Sequence, residues 1–193
     1  MSLAVGLPVG RPARIATAVT AYAVPALVVW TMLGACLGAL PLARPALLLA
    51  AGYAACYGLI EAAGKLVLAA PGTTWQVPQT MVMNVPRWRR ILVWGSVLGP
   101  GFATRNPFAG FGLLPLAVAA AGSVPAAMVT AAAIGLAHGT GRALALLRDA
   151  RPAASASADP MRLVLTSMYW RTFDGFALLV IAGAAIAACA GRF

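Results

Sequence analysis

The chain has 193 residues, 62% of them hydrophobic and only 9% charged, with a mean hydropathy of +0.88. A soluble domain carries about 25% charged residues, so this composition excludes a water-facing globular surface and makes lipid the solvent for much of the chain. The formal charge of +10, from 14 Lys+Arg against 4 Asp+Glu, would suggest nucleic acid in a soluble protein, but the basic residues cluster between apolar runs and form no face interleaved with aromatics.

The N-terminal MSLAVGLPVGRPAR has no charged region ahead of an apolar one, so it does not read as a cleaved signal peptide. The first span is expected to act as its own targeting signal. About 20 apolar residues cross a bilayer as a helix, and five runs meet that length: residues 15–40, 46–70, 91–121, 124–147 and 172–190. The first is softened by Pro25 and by GACLG. The third is too long for one straight helix. The intervening TTWQVPQTMVMNVP is too short and proline-rich to cross, and Trp75 and Trp88 suit the membrane interface. RDARPAASASADP, at 148–160, reads as a flexible loop.

The charges orient these spans. Nine arginines (Arg11, Arg14, Arg87, Arg89, Arg90, Arg148, Arg151, Arg162 and Arg171) fall on one side of a five-span arrangement, against Arg44 and Arg192 on the other. Positive residues stay inside. The N-terminus and the loops at 71–90 and 148–171 are therefore expected in the cytoplasm, with the C-terminus outside the cell membrane. The expected fold is an all-α integral membrane protein, one transmembrane domain over 1–193.

The third run contains VLGPGFATRNPFAGFGLLPL, with three prolines, four glycines and one arginine in an apolar setting. Pro100 and Pro107 remove backbone donors and break the helix. The freed backbone groups survive only inside protein or beside water. Arg105 and Asn106 sit in the opening, and burying an arginine there costs about 3 kcal/mol even on a lenient scale. These two residues, with Pro107, are candidate ligand-binding residues; the competing reading is an external loop with Arg105 snorkelling to the surface. VVWTMLGACLGALPLARPALLLAAGYAA, at 28–55, runs parallel in pattern to the stretch at 92–122. Both pass from Val-Trp through Leu-Gly to a proline, Pro41 or Pro107. Such an internal repeat of broken helices marks transporter-like sites, and it places Gly34 and Pro41 in the candidate site. Gly34-xxx-Gly38, Gly95-xxx-Gly99 and Gly135-xxx-Gly139 also allow close helix packing, the preferred reading for Gly95 and Gly135.

Two further polar residues lie within spans. Glu61 is spaced from Lys65 as a helical ion pair; alternatively it binds a cation or proton. His138, in GLAHGTGRA, cannot make a metal site alone. It reads as a hydrogen-bonded bundle histidine or as a proton-coupling group. Arg171 and Asp174 read as an ordinary i,i+3 pair opening the last span. Cys36, Cys56 and Cys189 lie in apolar runs with no CxxC, as small buried hydrophobes. No motif points to a catalytic residue, a metal or a cofactor.

GACLGALPLARPALL and FATRNPFAGFGLLPL resemble the two proline-broken first helices of the cytochrome c biogenesis thiol-electron transporters of the CcdA/DsbD type. The WQVPQTMVMNVPRWRR loop and GLAHGTGRALALL look similar to compact actinobacterial-type relatives, including methylamine-utilisation accessory proteins. The resemblance implies repeated broken helices, each with a reactive cysteine beside proline. Here Cys36 is not adjacent to Pro41, and Asn106-Pro107 has no cysteine. A thiol relay needs two exchangeable thiols, so the fold carries over and the redox activity is discounted. Three functions follow as expectations: a transporter-like protein moving a small solute or ion, a non-catalytic membrane subunit or assembly factor packed on a partner subunit, and a thiol redox conduit.

Overall fold

The computed structural model describes residues 12–63, 86–101, 109–149 and 160–190. Every regular element among them is helical. Helix α1 spans Pro12–Gly38, α2 Ala43–Ala62, α3 Arg87–Leu98, a 3-10 turn Ala109–Gly112, α4 Leu113–Ala120, α5 Val124–Asp149 and α6 Pro160–Ala190. Four stretches are long and apolar enough to cross a membrane: Ile15–Gly38, Ala43–Ala62, Val124–Ala145 and Met168–Ala190. In lipid a helix satisfies its own backbone, so these apolar runs have little alternative.

The sequence-derived boundaries shift at several points. The expected third run divides into the 12-residue α3 and the short apolar Ala109–Ala120 helix, neither of which reaches membrane length alone. The last helix begins at Pro160, well inside the expected loop. Proline suits a first helical position, where its missing N–H is no loss, and no breaker follows it before the span.

Chain contacts divide the protein into two compact units. The first comprises residues 1–34, 72–105 and 128–154, and the second 35–71, 106–127 and 155–193. Each contains, in chain order, a long helix, a short one and another long one.

In the first unit α1 buries Ala18, Tyr22, Ala26 and Trp30 along one stripe. This spacing of four residues stacks side chains on a single helix face. The facing stripe of α5 consists of Ala131, Gly135, Gly139 and Ala143, all buried. A Cβ on Gly135 would stand 2.7 Å from the Ala26 carbonyl oxygen, and one on Gly139 would stand 2.6 Å from that of Tyr22. The two backbones therefore meet with nothing between them, which is how small residues hold membrane helices together. Helix α3 is pressed as closely on α1, with Gly95 against the Ala21 carbonyl and Gly99 against that of Tyr22. It ends at Leu98, and the bend that follows uses Gly101, whose φ of 85° favours glycine.

In the second unit α2 buries Ala46, Ala50, Ala54, Gly58 and Glu61. This stripe packs on α6, where Gly175, Leu178, Ala182 and Ala185 are buried. Helix α4 lies against α2 as well. Its turn into α5 uses Gly122 at φ 79°, and Ser123 Oγ then accepts the Ala126 N–H at 3.4 Å as an N-cap.

Candidate functional site

Backbone groups at the interrupted third run lose their helical partners and must find others. Two carbonyls flanking the interruption are met by long side chains. In the first unit, the buried Trp30 Nε1–H donates to the Pro100 carbonyl at 3.0 Å. In the second, the Tyr53 hydroxyl donates to the Ala109 carbonyl at 2.8 Å. Tyr53 is held by stacking on Tyr57, one turn along α2, at 4.5 Å between ring centroids.

The amides of the same turn meet carboxylates. Gly110 N–H donates to Asp174 Oδ2 at 3.1 Å, and the Ala109 backbone amide lies beside the Glu61 carboxylate. First-turn amides have no partner inside their own helix, and the positive end of the helix dipole favours negative charge there. The carboxyl groups of Glu61 and Asp174 are themselves within hydrogen-bonding distance of each other. Close packing brings them together: a Cβ on Gly175 would lie 3.0 Å from Glu61 Cβ, and one on Gly110 would lie 2.7 Å from Asp174 Oδ1. Glu61 is 7% exposed, and its Oε2 is buried and accepts no hydrogen bond among the described residues. Arg171, half-buried one turn before Asp174, is in electrostatic reach of Glu61. So is Tyr53, which also faces Asp174.

Asp174 is the residue of this cluster that sequence reasoning missed. Its i,i+3 spacing from Arg171 offered a local partner on its own helix. The contact with Glu61 joins two helices far apart in the chain. Its one legible signal was scarcity, since the whole chain has only 4 acidic residues and two of them meet here.

The other candidate residues fall elsewhere. Arg105, Asn106 and Pro107, and the Lys65 expected beside Glu61, lie outside the described residues. Gly34 is buried and Pro41 is exposed in the turn between α1 and α2. His138 belongs to the first unit, half-buried, with Arg142 one turn further along α5 in electrostatic reach of both His138 and Tyr22. The three cysteines are free thiols, with Cys36 and Cys56 exposed. An open groove of about 450 Å³ runs between α1 and α3, lined by Thr17, Thr20, Pro25 and Ser96 among others. Among the described residues it has no ionisable lining residue, and it belongs to the first unit. Among the described residues, no three metal-ligating side chains converge.

Comparison with protein-family models, curated proteins and solved structures finds no match to this chain.

Proposed function

We propose that the chain is a multi-pass protein of the cytoplasmic membrane with transporter-like architecture, moving a small solute or ion. In this reading α1, α2, α5 and α6 are full crossings. The stretch from α3 to α4 is a further, broken one, giving five. The arginine distribution supports a cytoplasmic N-terminus and an external C-terminus. The exposed rings of Tyr169, Trp170 and Phe173 suit an interfacial aromatic belt on the cytoplasmic side. Asp174 then lies about one helical turn past Trp170 and directly after Phe173.

The observation that carries the reading is the Glu61–Asp174 pair at the end of the interrupted helix. Ionisable groups within membrane segments are expensive and mark ion or substrate paths. One carboxylate would suffice to cap a helix; two in contact, one with an oxygen unpartnered among the described residues, fit ion handling better. Arg105 and Asn106 stay in the proposal as donors to an anionic or carbonyl-bearing solute.

The test is flux. Purified protein is placed in lipid vesicles containing a pH-sensitive dye, and proton or sodium gradients are imposed with and without a membrane potential. Proton or sodium-dependent flux above that of empty vesicles is expected, with loss in Glu61→Gln. Absence of flux, together with a stoichiometric membrane partner on purification from native membrane, would replace this reading with that of a complex subunit or assembly factor.

A further inference from the structure

Charge counting around the pair gives an unbalanced result. Two carboxyl groups touch where α2 meets α6, at a position where α2 has buried nothing but alanine and glycine for the preceding four turns of its stripe. The ionisable groups facing them can be named element by element. Among the described residues, Arg171 comes from α6 and Tyr53, stacked on Tyr57, from α2. The 3-10 turn and α4 contain no ionisable side chain and contribute backbone amides instead. With both carboxyls ionised and Arg171 charged, one negative charge is left over among the described residues. The hydrogen bonds show the same deficit. Asp174 receives the Gly110 N–H, yet among the described residues Glu61 Oε2 is buried with no donor. Two adjacent like charges repel strongly where water is scarce, and an unpaired charge in that setting is costlier still.

We propose that Glu61 and Asp174 together form a binding site for one exchangeable monovalent cation, a proton or an alkali metal ion. The cation is held between the two carboxyl groups at the head of the short helix. As a proton it sits on one carboxyl oxygen and donates to the other, supplying the missing donor. As an alkali ion it takes the same oxygens as ligands, oxygen being the donor type such hard cations prefer. Either form removes the leftover charge without moving the backbone. The site deepens the ion-handling reading given above, but its occupancy is measurable without any transport.

Dicyclohexylcarbodiimide is the probe. It reacts with protonated carboxyl groups in apolar surroundings, leaving a stable acylurea that mass spectrometry assigns to a residue. The membrane-embedded full chain is treated over a range of pH, in choline chloride and in sodium chloride of equal ionic strength. Labelling of Glu61 or Asp174 is expected in choline near neutral pH, falling as the pH rises. Suppression by sodium identifies an alkali ion competing for the site; no suppression identifies a proton-only site. In Asp174→Asn the label on Glu61 is expected to fall to background, and in Glu61→Gln that on Asp174 likewise, because a carboxamide neighbour supplies a donor and removes the second charge. Persistence of Glu61 labelling in Asp174→Asn would show a single carboxyl protonated by burial alone and would overturn the pair. Should a variant fail to accumulate, the wild-type chain decides alone: no labelling, or labelling indifferent to both pH and sodium, overturns the proposal. Ion flux without such labelling would remove this site and leave the transport reading standing. Labelling without flux would do the reverse.

Discussion

Trp30 and Tyr53 perform the same task at two places, each donating to a backbone carbonyl beside the interruption of the third run. The two are unequal in burial, since Trp30 is completely buried and Tyr53 is half-buried. Replacing Trp30 by phenylalanine keeps an aromatic ring but strands the Pro100 carbonyl away from water. A buried acceptor left unpaired costs about 1–3 kcal/mol. Trp30→Phe is therefore expected to lower the thermal midpoint of the detergent-solubilised protein clearly. Tyr53→Phe should lower it less, because the Tyr53 ring is itself only half-buried. An unchanged midpoint in Trp30→Phe would mean that this hydrogen bond does not hold the end of α3.

At the scale of elements, stability rests on seams of alanine and glycine rather than on large side chains. Lipid tails are as apolar as leucine, so helices gain from close backbone approach rather than from burying bulk. The glycines differ sharply in what surrounds them. Gly135→Ala and Gly139→Ala each push a Cβ into the α1 backbone and force the helices apart, an overpacking cost of about 1–3 kcal/mol. Gly52 and Gly141 have open space around the same position. Their alanine variants are expected to be neutral or up to about 1 kcal/mol more stable, from helix propensity. Thermal unfolding of the four variants side by side checks this, and equal effects in both pairs would contradict the seam. These elements also show how far the sequence could be read. Apolar length is a local property, so the four long helices were legible from composition alone. Glu61 stood out because a charge is conspicuous in an apolar run. Its meeting with Asp174 was hidden, because i,i+3 and i,i+4 spacing describes one helix and is silent on which helices become neighbours. The start of α6 was missed for a related reason: a helix need not stop where the apolar run does.

For the whole molecule, orientation and thiol chemistry are the properties that the fold constrains next. In a cysteine-free background, single cysteines at Ser155 and Pro45 are expected to react with membrane-impermeant maleimide from opposite sides; reaction from the same side would sink the five-crossing topology. The background itself is informative. All three native cysteines are free, and they lie on three different helices, α1, α2 and α6. Replacing them together by alanine should leave both expression and vesicle flux largely intact. Complete loss of flux at normal protein levels would revive a redox role. Helix α6 bears on how such a molecule could be addressed from outside the bilayer. Its 31 residues make a rod roughly 46 Å long, of which 23 residues form the membrane-length segment from Met168. About two turns therefore project past the start of that segment with no break in the hydrogen-bond ladder. The Pro160 end therefore stands about four turns from Asp174 on one unbroken rod, which Gly175 seats directly against Glu61.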